Sequence, residues 1–235
     1  MEKKLFKFSA AQCAVFFDFD NTIASCDVLD NILPLFSSNK HWIELEKLWQ
    51  EGKIGSLKCL YGQLKGVRIT KKALNEYLSG IKIDPCFDRL VSFLKERRVK
   101  TAVLSDNFDY ILKNILKRHS IKGLKVYSNK LEFSKDRLIP QFPYQAKKCR
   151  ICAHCKTKNL LANSFKNSII IYVGDGRSDI CPAKYADIVF AKDSLLEYCI
   201  KNKLNYLPYK NLNDVYGFLK RSLNGNKTGN KACSK

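Results

Sequence analysis

FFDFDNTIASCD, residues 16–27, carries an apolar run straight into two carboxylates, Asp18 and Asp20, with Thr22 just beyond. Repulsion and desolvation both oppose placing two like charges at the end of a buried segment. A metal cation is the simplest partner that would hold them there. The run leading in, QCAVFFDFD at 12–20, has the near-continuous apolar character of a strand buried on both faces of a parallel sheet.

Three further segments share this form: KTAVLSDN at 100–107, SIIIYVGDG at 168–176 and ADIVFAKD at 186–193. Each is apolar and β-rich and ends in small polar residues. Helical patterns lie between or after them at 85–98, 108–120 and 194–203. Alternation of β and α implies an α/β fold, a doubly wound Rossmann-like parallel sheet with helices on both faces. Chemistry in such sheets gathers at the carboxyl ends of the strands. Asp18 and Asp20, Ser105 and Asp175 are therefore expected in one crevice.

Residues 29–82 differ, with short amphipathic segments such as VLDNILPLF and HWIELEKLWQEG and no strand-like run. They are expected to form a small helical domain inserted after the first strand, leaving residues 11–28 and 83–223 as a discontinuous catalytic core. KVYSNKLEFSKDRLIPQFPY, at 125–144, alternates and carries turn residues, as an irregular β-hairpin on the core would. Residues 224–235 lack apolar periodicity and read as a disordered tail.

Bulk properties narrow the function classes. The 235 residues suffice for a sizeable core, and 46% are hydrophobic. There is no apolar run of membrane-spanning length, and the N-terminal apolar stretch is broken by Lys7 and Gln12 and so does not read as an export signal. Without such a signal the ten cysteines read as free thiols of a cytoplasmic protein. The net charge of +20 invites nucleic acid, yet the lysines are spread along the chain and no zinc-finger or RNA-recognition spacing accompanies them. A diffuse positive field equally draws in small anionic substrates.

Taken in order, Asp18-x-Asp20-x-Thr22, the hydroxyl of Ser105 and Gly174-Asp175-x-x-x-Asp179 resemble the motifs of the haloacid dehalogenase-superfamily phosphatases, subfamily IB, the phosphoserine phosphatase-like group with a C1-type helical cap. YVGDGRSDICPAKYADIVFAKDSLLEYC and LNYLPY are similar to the branch holding the methionine-salvage and the phosphoethanolamine/phosphocholine phosphatases. The resemblance implies a Mg2+-dependent phosphomonoesterase acting on a small phosphorylated metabolite. Asp18 would be the nucleophile that becomes an aspartyl-phosphate and Asp20 the general acid and base. Asp18, the backbone carbonyl of Asp20 and Asp175 would hold one Mg2+, with Asp179 behind them. Ser105, Asp106, Asn107 and a lysine would bind phosphate. The family sets that lysine at the start of the helix before the GDG strand, which points to Lys156, with Lys158 second. Thr22 would fix the loop. Asp27 would meet the substrate or else cap the next helix. Asn21, and Arg177-Ser178 in place of the usual Ala-Asn, depart from the family pattern. Two other readings stand beside this one: a nucleic-acid end phosphatase, and a phosphate-binding or regulatory protein on the same scaffold. Oligomeric state is not legible.

In KKCRICAHCK, residues 147–156, the spacing of Cys149, Cys152 and Cys155 admits a structural Zn2+. Against this, His154 adjoins Cys155, and the separate second C-x-x-C pair expected of a zinc ribbon is absent. Reduced cysteines packed in the loop that positions Lys156 are the favoured reading.

Overall fold

The computed structural model describes residues 7–146, 149 and 151–223, so the expected tail at 224–235 lies outside the described residues. Strand β1, Cys13–Phe17, is buried along its whole length. Its side chains alternate, with Cys13, Val15 and Phe17 entering one apolar core and Ala14 and Phe16 the other. Parallel neighbours flank it on both sides, β2 (Lys100–Phe108) and β5 (Ile169–Gly174).

Among the described residues the sheet has seven strands, in the order β4-β3-β2-β1-β5-β6-β7. Strands β6 (Ile188–Ala191) and β7 (Tyr206–Pro208) extend it in parallel on one side. On the other side β3 (Lys125–Ser134) pairs parallel to β2 and then turns back antiparallel into β4 (Arg137–Gln141). The hairpin expected on the core is therefore the edge of the sheet itself. One strand serves both pairings because Lys125–Asn129 runs beside β2 and Lys130–Ser134 runs on to β4.

Five helices follow β1 before the chain reaches β2, and the first four are α1 (Val28–Phe36), α2 (His41–Gln50), α3 (Ser56–Gly66) and α4 (Lys71–Ser79). Asp27 caps α1 and Thr70 caps α4, each accepting a first-turn backbone N–H. The chain leaves and re-enters the sheet region through paired segments, with Ala24 bridged to Ile83 and Ser25 N donating to Lys82 O at 3.0 Å.

Helices then cover both faces. Phe87–Glu96 (α5), Asp109–Arg118 (α6) and, at the end of the described chain, a helix over Leu212–Leu223 bury apolar stripes on the Val15 side. Lys156–Ala162 (α7) packs Leu160 on the Phe16 side. Among the described residues no helix is long and apolar enough to cross a membrane.

Candidate active site

Strand register brings the polar residues together. Phe17 is level with Val103 on β2 and with Val173 on β5. Asp18 N continues the ladder by donating to Val173 O at 2.9 Å. Asp18 thus stands between Ser105 and Asp175, the next polar positions of its neighbours. Their carboxyl ends open on a cleft of about 690 Å³, whose lining includes Asp18, Asp20, Asp106, Asn107, Lys156 and Asp175, with Asp27, Glu46 and Trp49 from the helical segment facing them.

Lys156, the first residue of α7, is buried and points Nζ into the carboxylates. It donates to Asp18 Oδ1 at 2.6 Å, Asp179 Oδ1 at 2.7 Å and Ser178 Oγ at 2.8 Å. Lys158 is exposed and reaches only the Gln145 carbonyl, at 3.3 Å. Burial opposes the charge on Lys156, but Asp179 and Asp18 outweigh it and hold its pKa well above the usual lysine value. Asp18 is pushed up by burial and by Asp179, against the pull of Lys156.

Asp179 is saturated. Its Oδ1 accepts from Lys156 and from Tyr172 OH at 2.6 Å, and its Oδ2 accepts from the Asp175 and Gly176 backbone N–H groups, each at 3.1 Å. A Cβ at Gly174 would lie 2.5 Å from Asp179 Oδ2, so this approach needs glycine. Asp175 accepts the Thr22 hydroxyl at 2.9 Å, and Tyr209 OH stands 3.4 Å from the same hydroxyl. Burial and Asp179 raise Asp175 to about 7.

Asp20 is clamped by Asn107 Nδ2, at 3.0 and 3.1 Å from its two oxygens, and by Val28 N at 3.0 Å. Burial first and then Asp27 push its pKa well above the carboxylate range, so Asp20 is disposed to carry a proton. Asn21 beside it has φ +51°, a left-handed conformation that asparagine adopts more readily than most residues. Asp106 and Asn107 line the cleft, whereas Ser105 has no exposed surface and its Oγ accepts from Asn107 N at 3.0 Å. Asp27 both caps α1, accepting Asp30 N at 2.9 Å, and lines the cleft.

Arg177 reaches across to the helical segment. It donates to Gln50 O at 2.9 Å and lies over the Trp49 ring at 6.0 Å. Gly52, at φ +75°, follows this contact, and a Cβ there would meet Arg177 Nη2 at 2.7 Å.

Among the described residues, Asp18, Asp175 and Asp179 form the one set of three side chains able to gather on a metal, with ligand atoms within 4.8 Å of one another. Asp18 Oδ2 and Asp175 Oδ2 have no protein hydrogen bond among these residues, and one ammonium faces three carboxylates. Two free oxygens and an excess of negative charge fit a hard divalent cation. Cys149, Cys152 and Cys155 do not converge in this way, and the zinc reading gains no support: Cys149 and Cys152 are 3.9 Å apart, and Cys155 does not complete a triad with them. The described cysteines are all free thiols.

The sequence reading missed the second layer of the site: Tyr172 behind Asp179, Ser178 on Lys156, Asn107 on Asp20 and Tyr209 near Thr22. Tyr172 left one trace, a lone hydroxyl in an otherwise aliphatic strand.

A parallel sheet that gathers these aspartates around one buried lysine at its carboxyl edge defines a phosphatase of the haloacid dehalogenase type. The chain belongs to the family described as Putative Phosphatase, whose profile matches residues 13–210. It is 27% identical over 212 residues to the 2-hydroxy-3-keto-5-methylthiopentenyl-1-phosphate phosphatase of Bacillus thuringiensis (strain Al Hakam), covering 89% of this chain and 96% of that protein. The protein of the same name from Bacillus cereus (strain ATCC 14579) is 28% identical over 209 residues, covering 88% and 95%. Among solved structures, a substrate-bound phosphoserine phosphatase matches with a TM-score of 0.68 at 17% identity, covering 88% of this chain and 98% of its own. A haloacid dehalogenase-family hydrolase from Salmonella enterica serovar Typhi matches with a TM-score of 0.70 at 18% identity, covering 95% and 74%.

Proposed function

We propose that the protein hydrolyses a small phosphorylated metabolite in two steps through Asp18, in the cytoplasm and with Mg2+ as cofactor. The observation that carries this reading is the Lys156 ammonium 2.6 Å from Asp18, beside carboxylate oxygens left without a partner.

A phosphate monoester dianion repels nucleophiles, so the site must neutralise it before attack. Lys156 supplies one fixed positive charge at the nucleophile. Mg2+, held by the Asp18 and Asp175 side chains with the Asp20 backbone carbonyl, would supply the rest. Asp179 holds Lys156 and the Asp175–Gly176 turn in place. Ser105, buried behind the cleft, accepts from Asn107 N and fixes that turn, and Asp106 and Asn107 line the cleft where a phosphoryl oxygen would sit. The Asp18 carboxylate attacks phosphorus, and the leaving alcohol takes the proton that Asp20 carries. Asp20, now ionised, removes a proton from the water that cleaves the aspartyl-phosphate. Helices α1–α4 act as a cap over the leaving group, with Asp27 among its contacts.

Phosphate release from p-nitrophenyl phosphate with Mg2+ tests this reading. Asp18→Asn is expected to lower turnover by at least about a thousandfold with the melting temperature preserved. Near-normal activity in that variant would refute the nucleophile. A panel of phosphorylated metabolites then identifies the substrate.

A further inference from the structure

Cys149 and Cys152 lie outside the proposed chemistry. Their sulfurs are 3.9 Å apart, in contact but unbonded, and both residues are partly exposed. We infer that Cys149 and Cys152 form a reversible disulfide that displaces the loop presenting Lys156, making the enzyme sensitive to peroxide. The bridge rests on this geometry alone, and its effect on turnover rests on the role proposed for Lys156.

The two thiols are chemically unequal. Backbone N–H groups of Ile151 and Cys152 lower the Cys149 pKa, whereas burial and then Cys149 push Cys152 up to about 12. Cys149 is thus the member that reaches the thiolate and attacks an oxidant. Its sulfur attacks one oxygen of hydrogen peroxide, the O–O bond breaks, and hydroxide leaves to give a sulfenic acid. The Cys152 thiol then attacks that sulfur and the second oxygen departs as water. Two thiols and one peroxide yield one disulfide and two waters. A small dithiol reverses the change by exchange. The deeply buried Cys13 and Cys59, held near 12 by burial, stay protonated and inert.

On the Cys152 side the chain has little room to absorb the bridge. A disulfide brings its sulfurs to about 2.05 Å. Between Cys152 and Lys156 the chain is fastened at two points: Ala153 N donates to Ser56 Oγ at 2.9 Å, and Cys155 N donates to Tyr144 O at 3.0 Å. Just before it, Ile151 O accepts Leu57 N at 3.1 Å, and it crowds the space where a Cβ on Gly55 would sit. Drawing Cys152 towards Cys149 therefore pulls on the start of α3 and the start of α7 together. Lys156 is the first residue of α7, and catalysis tolerates little misplacement of such a group.

The test exposes the full protein to hydrogen peroxide, alkylates the remaining thiols and maps bridges by peptide mass spectrometry. Turnover of p-nitrophenyl phosphate and hydrogen exchange over residues 151–162 are followed in parallel. The expected result is a Cys149–Cys152 bridge, a fall in turnover on the order of tenfold or more, faster exchange in that segment, and full recovery with dithiothreitol. Cys152→Ser and, separately, Cys149→Ser keep the reduced enzyme's turnover and lose the reversible response. A bridge formed elsewhere, such as Cys152 to Cys181, or a Cys149–Cys152 bridge that leaves exchange and turnover unchanged, would overturn the inference. Should the reduced protein release no phosphate, the phosphatase reading fails, and bridge mapping with hydrogen exchange still decides the switch.

Discussion

Lys156 faces Asp18, Asp179 and Ser178 from a buried position, so its removal strands two carboxylates at once. Lys156→Ala is expected to lower kcat by about a hundredfold or more and to lower the melting temperature in metal-free buffer. Tyr172→Phe removes only the 2.6 Å hydrogen bond to Asp179. It is expected to cost on the order of 1 kcal/mol of stability, measured by chemical denaturation, while Lys156 keeps its place. Asp106 offers a test in pH. Burial raises it to about 6, against the pull of Lys156 and Ser56, and its Oδ1 is buried without a partner. Between about pH 3.9, the unfolded value, and about pH 6 the folded protein holds the extra proton, so this group makes stability fall as pH rises through that window. Asp106→Asn is expected to flatten that part of the stability–pH curve, with the variant gaining on the wild type above about pH 6. Unchanged curvature in denaturation midpoints between pH 4 and 7 would remove Asp106 from the account. None of these supporting contacts was legible in the sequence, because Tyr172, Asn107 and Ser178 come together only through strand pairing and the turn after β5.

At the scale of elements, the strands and their polar ends were legible because buried parallel strands are continuous apolar runs and each ends in a short polar signature. The fourth run, at 188–191, read for the same reason. Strand β7 did not, since three residues give too short a pattern to separate from a loop. The 125–144 hairpin was legible as a hairpin, but its parallel pairing to β2 depends on a neighbour some twenty residues away in sequence. The departure at Arg177 gains a physical reading from the structure. This side chain ties the turn after β5 to the end of α2 through Gln50 O and Trp49, and the left-handed Gly52 leaves room for it. Arg177→Ala is expected to loosen this closure and raise KM severalfold, with a smaller change in kcat, because the cap contacts would be lost and the chemistry near Lys156 kept. Gly52→Ala combines backbone strain with a collision at the guanidinium, so it is expected to shift KM in the same direction and to lower stability by about 1 kcal/mol or more. A loss of kcat at constant KM in Arg177→Ala would refute the closure role.

Across the whole molecule, a chain of net charge +20 concentrates its buried carboxylates at one point of the sheet. The positive charge is dispersed over the surface and does not offset this cluster: among the described residues Lys156 alone forms ion pairs with Asp18 and Asp179, and Lys192 adds only a weaker pull on Asp175. The fold therefore carries a local electrostatic cost that a bound divalent cation would relieve, and relief of that kind would appear as stability. A ligand that binds only the folded state stabilises it by about 2.7 kcal/mol at a hundred times its Kd. For a chain of this size that corresponds to a rise in Tm of roughly 5–10 °C. Titration with Mg2+ in the absence of substrate is expected to give a rise of this order, saturating with concentration. Asp175→Asn should start from a higher metal-free Tm than the wild type, because one repelling charge is gone, and should lose most of the Mg2+ response. A wild-type Tm indifferent to Mg2+, or an Asp175→Asn variant with the full response, would show that the cluster does not hold the cation.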